Sequence, residues 1–513
     1  MKKRNQKTVI IVGAGISGMS AGIYGQQNGF NTILLEMNPR VGGLCTGWYR
    51  EGNYIDGCIH WLTGTRPGTI LHEDWKNVGA IDKQDDIIYL PSWGCIDYKG
   101  TKLTFWRDLN RAEEEWTAIS PEDKKQIHKF FKMVSDFSKI ELPLRYPIEK
   151  LSMKEALKLG FRVLCFCPSY LSSMKINCHK YAEKFKHPAI RYALTHIQPG
   201  NGNLFSMIYS YATVVEGNGG IPKGGSIFMA ERMKHRYIEL GGSLKVNAKV
   251  DHIIVKDNVA VGVALANGES IYGDYIVTAV DPNYVTTRLL FGMYKNKEIE
   301  KRYHNPVANP TPSCVLASYE IDMIPNINIP YTFDTEPFKL AGLTMDHIVL
   351  RSYHFDPEYF VKDGKTVVNV LLDQYPTEYE YWNTLYKNQP AYQKKKDQVS
   401  DMIMSKIVEK FPEFKGHIKP IDVVTPKTLN RYTHCSRGAY MGFLFTSKKG
   451  RFSHNGKLKG LKNLYMSGQW LQAPGGLPLA LVEGKFAIQR ICRKENISML
   501  FKGQYAALKK KKI

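Results

Sequence analysis

The first forty residues alternate between apolar runs and short breaks, and this spacing predicts local structure. Residues 8–12, TVIIV, form a β-branched apolar run typical of a buried strand, and residues 32–36, TILLE, form a second one. Between them, over 16–29, apolar and small side chains recur at helical intervals, at Ile16, Met19, Ala21 and Ile23. The pattern predicts strand, helix and strand, a βαβ unit of the usual length.

A glycine-rich turn, GAGISG, joins the first predicted strand to the helix. Gly13 permits the tight turn, Gly15 lets a diphosphate approach the backbone, and Gly18 lets the helix pack closely on the sheet. The positive end of the helix offers free N–H groups to that anion. Glu36 ends the second strand, where its carboxylate can accept hydrogen bonds from a ribose diol and would repel a phosphorylated ribose. We interpret these residues as a nucleotide-binding unit.

Two long stretches of the chain lack this glycine-turn pattern. From about residue 90 to 215 the sequence is mostly helical in pattern and rich in aromatic side chains, and a helix is predicted to begin at SPED, 120–123, with Ser120 as its cap. Residues 290–425 combine short strands such as KTVVNVLLDQYP with a long lysine-rich helix before Pro412. We interpret the two stretches as insertions that form a separate unit.

The middle and the end of the chain return to the glycine-turn pattern. Gly241 and Gly242 end a predicted helix, three short strands follow between 244 and 265, and NGE at 267–269 marks a hairpin turn. Residues 464–487 give a strand, a glycine loop and a helix. We therefore predict an α/β protein, with a nucleotide-binding domain built from residues 1–85, 216–290 and 426–513 and an inserted domain built from residues 86–215 and 291–425.

Composition narrows the class of protein. Nine cysteines are scattered without a disulfide framework, which fits a reducing compartment, and Cys165 and Cys167 lack the histidine cluster that a metal site would need. The basic N-terminus precedes an apolar run of only five residues, which is too short for a secretory signal. No window of 18 consecutive apolar residues occurs, so a membrane-spanning helix is not expected. We expect a cytoplasmic protein without a bound metal.

The formal net charge of +22 has three explanations. Nucleic acid is not the expected partner, because the basic residues are spread along the chain and no DNA- or RNA-binding motif accompanies them. Plain solubility is the second explanation. The third is reversible attachment to an anionic membrane surface, through AALKKKKI at 506–513 and KLGFRVLCFCPSYLSSMK at 158–175. Residues 158–175 could instead line the interior of the inserted domain.

Four stretches of sequence span nearly the whole chain. Together, in this order, they are a more specific signal than any one motif. They are VGAGISGMSAG with Glu36, Gly42 and Gly43; IPKGGSIFMAERM with LGGSLKVNAKV; TPKTLNRYTHCSRGAYMG at 425–442; and LYMSGQWLQAPGGLPLALVEGKFA at 464–487. The chain thereby resembles the FAD-dependent phytoene desaturase, carotenoid isomerase and retinol saturase family of the amine-oxidase-like flavoproteins. This resemblance implies a Rossmann-like FAD-binding domain of the glutathione-reductase-like, two-dinucleotide-fold type, with an inserted α+β substrate domain.

The resemblance also implies where FAD lies. Gly42 and Gly43 would be a second close approach of backbone to the diphosphate, and Val250 would hold the adenine end through its backbone. The loop from Gly468 to Leu477 would lie under the flavin, with the following helix directing its positive end at the ring, which suits an anionic reduced flavin. The predicted cofactor contacts are Gly13, Gly15, Ile16, Ser17, Gly18, Glu36, Met37, Gly42, Gly43, Leu44, Val250, Gly468, Gly475, Gly476 and Leu477.

Leu44 and Cys45 depart from the Arg or Lys that many relatives carry after the glycine pair. Retinol saturases are more similar here, and they share a series like DGCIH at 56–60. This similarity favours reduction of a double bond over desaturation. His60, on a strand that the family places near the flavin, is the predicted proton donor, because its titration range suits proton transfer. Tyr211 and Arg437 are predicted to face the substrate.

The predicted reaction is hydride transfer between flavin N5 and a conjugated double bond, with an unidentified electron donor or acceptor. The substrate is predicted to be a long apolar lipid of the carotenoid, retinoid or isoprenoid type, because the inserted segments are rich in aromatic side chains. An NAD dehydrogenase would not use the glycine pair or the final loop. A non-catalytic lipid carrier similar to Rab GDP-dissociation inhibitors would have lost the glycine fingerprint. A flavin-dependent amine oxidase and a non-catalytic carrier of a prenylated or lipid ligand remain the alternatives.

Overall fold

The computed structural model describes residues 6–139, 144–147, 149, 153–154, 157, 160–161, 170–198, 202–445 and 452–499. Strands in these residues, numbered β1 to β21, span Thr8–Val12, Asn31–Leu35, Gly47–Arg50, Asn53–Asp56, Leu62–Thr63, Ile87–Ile88, Ser92–Tyr98, Thr101–Trp106, Gly219–Pro222, Ser243–Lys245, Val250–Lys256, Val259–Leu265, Ser270–Tyr272, Tyr275–Thr278, Ser313–Ile321, Tyr331–Leu340, Leu343–Ser352, Val361–Lys362, Lys365–Gln374, Ile418–Val424 and Leu464–Met466. Helices span Ile16–Gln27, Ile70–Asn77, Leu109–Ile119, Lys124–Ser138, Tyr170–Lys175, Cys178–Ala182, Pro188–His196, Leu204–Val215, Gly225–Glu239, Pro282–Tyr284, Lys297–His304, Pro357–Phe360, Pro376–Leu385, Gln389–Lys410, Pro426–Thr433 and Leu477–Lys494. The predicted α/β class is confirmed.

Five parallel strands form the first sheet, in the order β10-β2-β1-β14-β21. Ile11 of β1 lies opposite Leu34 of β2 on one side and Val277 of β14 on the other. Parallel strands covered on both faces are apolar throughout. The chain leaves β1 toward β2 on one side and reaches β14 and β21 on the other, so a crevice opens beyond the carboxyl end of β1. Each of the three stretches predicted to form the nucleotide-binding domain contributes strands here, while the domain boundaries stay a prediction.

A second, mainly antiparallel sheet has the order β20-β15-β19-β17-β16-β7-β8, with β18 beside β19. Its core includes Trp382 of the helix Pro376–Leu385, and Ile403 and Ile407 of the helix Gln389–Lys410. All three side chains are fully buried against residues of the sheet. These helices therefore cover one face of the second sheet.

Two strands of this sheet lie where the sequence pattern predicts helix. Residues 92–106 form the hairpin of β7 and β8, so the prediction of mostly helical structure from residue 90 is wrong for this part. Lys99 and Gly100 at the turn have φ angles of 50° and 82°, the backbone that a two-residue hairpin loop favours. Helices follow from Leu109 onward, as predicted.

The helix predicted at SPED begins at Lys124, after a 3₁₀ turn at Pro121–Asp123. The predicted cap by the Ser120 side chain is wrong, because the Ser120 hydroxyl makes no capping hydrogen bond and lies 2.9 Å from a carboxylate oxygen of Asp123. That carboxylate accepts hydrogen bonds from the backbone N–H groups of Lys186 and His187. The motif thus links two helical segments instead of starting a helix directly.

The first and last described helices, Ile16–Gln27 and Leu477–Lys494, pack against each other. A Cβ at Gly484 would lie 2.2 Å from the carbonyl oxygen of Ser17, so the two backbones approach closely. The hydroxyl of Ser17 also lies 2.6 Å from that of Ser467, which follows β21. This packing brings the starts of both helices to the same region of the molecule.

None of the helices in the described residues is long and apolar enough to cross a membrane. Of the two predicted attachment segments, 506–513 lies outside the described residues. In the other, 158–175, residues 160–161 and the helix Tyr170–Lys175 are described. Cys165 and Cys167 lie outside the described residues as well.

Candidate functional site

One cavity of about 1120 Å³ is lined by both sheets and by the start and end of the described chain. Its volume exceeds the roughly 300–1,000 Å³ of a pocket for one small molecule, so it has room for a cofactor and a second molecule. Fifteen predicted site residues line it: Gly13, Gly15, Ile16, Ser17, Glu36, Met37, Gly42, Gly43, Leu44, His60, Val250, Gly468, Gly475, Gly476 and Leu477. The first glycine turn and the final glycine loop therefore share one crevice.

The turn after β1 is closed by the backbone. Gly13 has a φ of 97° and donates its N–H to the carbonyl of Leu35 at 2.8 Å. A Cβ at Gly18 would lie 1.9 Å from the carbonyl oxygen of Gly13. Gly18 is thus required by the packing of the helix on the turn and does not itself line the cavity.

Gly15, Gly42 and Gly43 form a cradle of bare backbone beside this turn. Gly15 and Gly42 pair as a short bridge. A Cβ at Gly15 would have only Gly42 O and Gly43 Cα near it, at 3.7 and 3.9 Å, so the protein itself has room for alanine there. Gly15 is also the N-cap of the helix Ile16–Gln27, which no side chain caps. Because the first N–H groups of a helix lack helical acceptors and carry partial positive charge, the cradle suits a diphosphate.

Glu36 follows β2 with its side chain buried. One carboxylate oxygen accepts the backbone N–H of Ala14 at 2.9 Å, and the other accepts two N–H groups of Asn38, at 3.0 and 2.8 Å. The carbonyl of Glu36 accepts the N–H of Ala248, two residues before Val250. A carboxylate can accept about four hydrogen bonds, so Glu36 keeps capacity for a ribose diol while it holds the glycine turn.

The final loop forms another wall of the cavity. Gly468, Gly475 and Gly476 have φ angles of 123°, 88° and 90°, which favour glycine. The side chain of Gln469 spans the loop, because its Oε1 accepts the N–H of Gly476 at 2.9 Å and its Nε2 donates to the backbone carbonyl of Tyr440 at 3.2 Å. The helix Leu477–Lys494 begins here without a side-chain cap. Its positive end is thus at the cavity, where the flavin ring is predicted to lie.

A buried carboxylate fixes the turn that leads to His60. Asp56 accepts the N–H groups of Cys58 and Ile59 at 2.9 and 3.1 Å and that of Ser226 at 2.6 Å. Burial raises the pKa of Asp56, and these hydrogen bonds oppose the rise. Since Ser226 lies in the first turn of the helix Gly225–Glu239, Asp56 joins that helix to the turn that leads to His60. Sequence reasoning named Asp56 only within a resemblance and missed this positioning role.

His60 lies at a bend between β4 and β5, so its predicted position on a strand is wrong. Burial, and secondarily the positive charge of Arg351 on β17, hold the pKa of His60 well below its usual value of 6.5. The side chain is therefore neutral at pH 7 and cannot act there as an imidazolium acid. Nothing in the sequence indicated Arg351.

The two predicted substrate residues do not line the cavity. Tyr211 is fully buried in an aromatic core, where its hydroxyl donates to the carbonyl of Trp106 at 2.6 Å. Tyr209 of the same helix lines the cavity instead. Arg437 has a φ of 54° and donates to the carbonyl of Tyr303 at 3.3 Å. Each side chain is directed to a backbone carbonyl and away from the predicted substrate.

Away from the cavity, the potential metal-ligand atoms of His196, Asp346 and His347 lie within 4.8 Å of one another. Hydrogen bonds from both histidines lower the pKa of Asp346. None of the three lines the cavity. This group does not belong to the candidate site, and the expectation that the protein holds no metal stays a prediction.

The cavity fits one dinucleotide with a ring system at its far end. The Gly15 cradle suits its diphosphate, Glu36 suits its ribose, and the start of the last helix suits a ring that becomes anionic on reduction. FAD has all three parts. The individual residue contacts stay predictions, but the fold and site together define a FAD-dependent oxidoreductase.

Comparison with known proteins supplies the family. Residues 11–77 match the NAD(P)-binding Rossmann-like domain, and residues 98–492 match the flavin containing amine oxidoreductase family. The chain belongs to the flavin containing amine oxidoreductase family, and its cofactor is FAD.

Individual relatives confirm the predicted place near the phytoene desaturases. A lycopene-forming phytoene desaturase of Paracoccus sp. (strain N81106 / MBIC 01143) is 28% identical over 54% of this chain and 55% of its own, so this match spans about half of that relative. A 4,4'-diaponeurosporene oxygenase of Staphylococcus haemolyticus is 23% identical over 95% of this chain and 97% of its own. The fold is similar to that of an oxidoreductase from Methanosarcina mazei, with a TM-score of 0.59 and 13% identity over 94% of this chain and 100% of the other.

Proposed function

We propose that the protein adds or removes hydrogen at carbon–carbon double bonds of a long apolar polyene of the carotenoid, retinoid or isoprenoid type. The observation that carries this proposal is that the predicted flavin loop and apolar side chains such as Phe205, Leu316, Leu371 and Phe445 line the same cavity. The names of the two relatives support a polyene. When bound, FAD accepts or supplies a hydride at N5, and a separate electron carrier is needed to restore it.

Within this reaction class we propose hydrogen removal as the direction. Loss of a hydride from an allylic carbon is balanced by loss of a proton from its neighbour, and a double bond forms between them. A neutral imidazole can accept that proton, and the electrostatic surroundings of His60 keep it neutral. Addition of hydrogen would need an acid, which the low pKa of His60 disfavours. The low pKa of His60 thus supports removal of hydrogen, whereas the similarity to retinol saturases favours addition of hydrogen.

The experiment combines spectroscopy with product analysis. We expect purified protein to be yellow, and anaerobic holoprotein given a polyene and a soluble electron acceptor to yield a product that absorbs at longer wavelength. Oxidation of amines with polyenes left unchanged would support amine oxidase activity, an alternative that also belongs to the matched family. A protein that stays colourless after FAD is added would support a lipid carrier.

Replacing His60 by Gln is expected to lower kcat by about 100-fold, within the range that loss of a general base usually produces. FAD content should not change, because Gln is similar in size and also neutral. Stopped-flow flavin reduction by the polyene measures the step directly. Wild-type flavin reduction rates in His60→Gln would remove the residue from proton transfer, and His434→Gln, at another cavity-lining histidine, is the matched control.

The same side chain predicts an unusual pH profile. A base with a pKa of 6.5 would lose activity as the pH falls from 7.5 to 6, but a depressed pKa keeps His60 unprotonated through this interval. We therefore expect kcat to stay level down to pH 6 and to fall only below it. A decline centred near pH 6.5 in wild type that is absent from His60→Gln would contradict this assignment.

We also propose that the protein docks reversibly on the anionic cytoplasmic face of a membrane. Met153, Leu157 and Phe161 are large apolar side chains that are 81%, 68% and 69% exposed. The net charge of +22 adds attraction to anionic lipid. Cysteines in the described residues are free thiols, which supports a reducing compartment. Docking would let an apolar substrate enter without crossing water.

Serine at Met153, Leu157 and Phe161 together is expected to weaken binding to vesicles by about tenfold or more, because these side chains would bury apolar surface in the lipid. Flotation with phosphatidylglycerol-containing and pure phosphatidylcholine vesicles measures the effect and its dependence on anionic lipid. The matched control replaces three exposed apolar residues elsewhere, Met293, Val307 and Ile324. Equal flotation of both triple variants would contradict docking through these three side chains.

A further inference from the structure

Two histidines and an aspartate meet where the two inserted stretches contact each other. His196 ends the helix Pro188–His196 of the first stretch, and Asp346 and His347 are neighbours on β17 of the second. Nδ1 of His347 lies 2.9 Å and Nε2 of His196 lies 3.5 Å from the same carboxylate oxygen, Oδ1 of Asp346. The histidine side chains are 16% and 18% exposed and that of Asp346 is 49% exposed, so the group opens to solvent on one side.

Contacts outside the group hold the imidazole of His196 in place. Its ring stacks on that of Tyr192 with 3.7 Å between the ring centroids, and its Nδ1 lies 2.9 Å from the backbone carbonyl of Tyr192. The hydroxyl of Tyr192 in turn donates to the backbone carbonyl of Asp346 at 3.3 Å. Tyr192 therefore fixes both the ring of His196 and its position relative to β17.

The hydrogen bond to Tyr192 decides which nitrogen of His196 carries the hydrogen. A carbonyl oxygen only accepts, so Nδ1 is the protonated nitrogen, and Nε2 of the neutral ring presents a lone pair. This lone pair is 3.5 Å from an oxygen of the Asp346 carboxylate. Two acceptors at this separation repel each other unless a positive charge lies between them. A second proton on His196 is one such charge, and a metal ion is the other.

The spacing of the three side chains suits zinc. With Zn–N and Zn–O distances of about 2.0–2.2 Å, neighbouring ligand atoms of a tetrahedral site are about 3.3–3.6 Å apart. The potential ligand atoms here lie within 4.8 Å of one another, and two of the separations are 2.9 and 3.5 Å. A metal-bound histidine usually donates its other N–H to a carbonyl or carboxylate, as His196 does to Tyr192. Imidazole ligands favour zinc over magnesium or calcium, which prefer oxygen.

We propose that His196, Asp346 and His347 bind one zinc ion, with water in the fourth position. The ion lies between the two acceptors and takes the place of the hydrogen on Nδ1 of His347, which moves to Nε2 of the same ring. It joins the helix Pro188–His196 to β17 and so links the two inserted stretches. The sequence pattern predicts no bound metal because these ligands come from two distant stretches. None of the three lines the cavity, so the proposal is independent of the polyene function.

Zinc binding to the full-length, FAD-loaded protein tests this proposal. Protein freed of metal with EDTA and dialysed is titrated with zinc sulfate in competition with a chromophoric chelator, and bound zinc is counted by metal analysis. We expect wild type to bind one zinc ion per chain with a dissociation constant below about 1 μM. His196→Ala should bind it at least about 100-fold more weakly, because loss of even an outer partner costs about 10–100-fold. Flavin content should not change, because His196 does not line the cavity.

Asp251 and His252 on β11 provide the matched control. Nδ1 of His252 lies 2.9 Å from a carboxylate oxygen of Asp251, the same separation as in the proposed site. In the described part of the chain, no second histidine completes a group of three there. His252→Ala should therefore bind zinc as wild type does.

Equal zinc affinity of His196→Ala and wild type would place the ion elsewhere and overturn the assignment. Wild type that binds zinc more weakly than about 1 μM would leave a proton as the charge beside Asp346, and would overturn it too. If His196→Ala does not fold, Asp346→Asn, at a half-exposed position, decides. It removes the negative ligand and should weaken binding at least about tenfold; unchanged affinity would contradict the site.

Discussion

Replacing Gly15 by alanine is expected to weaken FAD binding by about 100-fold or more, or roughly 2.7 kcal/mol, in a chain that still folds. The backbone of Gly15 has a φ of −72°, which alanine adopts without strain. The added methyl would meet no protein atom closer than 3.7 Å. It would instead occupy the cradle where the diphosphate is predicted to touch the backbone. The substitution therefore weakens FAD binding and leaves the stability of the fold unchanged.

Flavin content per protein and the melting temperature of the apoprotein separate these two effects for Gly15→Ala. We expect flavin to be lost while the melting temperature of the apoprotein stays within about 2 °C of wild type, as for a substitution without strain. Gly18→Ala is the contrasting variant, because its methyl would overlap the carbonyl of Gly13, and it should lower the stability of the apoprotein as well. Full flavin content in Gly15→Ala would place the diphosphate elsewhere.

Replacing Lys485 by methionine is expected to lower the free energy of unfolding by about 3–5 kcal/mol, the usual cost of leaving one half of a buried ion pair. Its ammonium lies 2.5 Å from the carboxylate of Asp74 and donates to the carbonyl of Leu144 at 3.0 Å, and both charged side chains are almost fully buried. Asp74 also accepts the hydroxyl of Tyr24 at 2.7 Å. The pair thus joins the first and last described helices to the helix Ile70–Asn77.

Urea unfolding of the apoprotein measures the effect of Lys485→Met, with Arg493→Met at an exposed position of the same helix as control. Adding Asp74→Asn should restore most of the lost stability, because it removes the unpaired charge and still accepts the hydroxyl of Tyr24. Equal unfolding midpoints for Lys485→Met and the control would show that the ion pair contributes nothing. Failure of the double variant to recover would assign the loss to packing.

The βαβ unit was predictable because everything that specifies it is local. Its strand, glycine turn, helix and acidic residue lie within the first 36 residues, and each has a fixed spacing to the next. The hairpin at 92–106 was not predictable in this way, because a short aromatic run fits a strand or a buried helix equally well. Pairing with β16 selects the strand, where Cys95 lies beside Tyr331, far away in sequence.

The cofactor half of the site could likewise be anticipated, whereas the substrate half could not. Glycines at fixed spacing indicate where a ligand must approach the backbone closely. Arg351 has no such local mark, and its effect on the pKa of His60 comes from β17, a strand far from His60 in sequence. The direction of Tyr211 was mispredicted because a helix with apolar residues on several sides does not reveal which side faces a cavity. Titration of His60 depends on burial, which one sequence does not contain.

The contact between Ser17 and Ser467 joins residues 450 positions apart. At the usual 5–20 residues per second, a ribosome needs roughly 20–90 s to make the intervening chain. During that interval the first half of the flavin pocket has been synthesised and the second half has not. The apolar strands β1 and β2 therefore lack their neighbours β14 and β21. Holding that unfinished surface away from other proteins becomes a task for the cell's chaperones, and the supply of flavin matters only when synthesis is nearly complete.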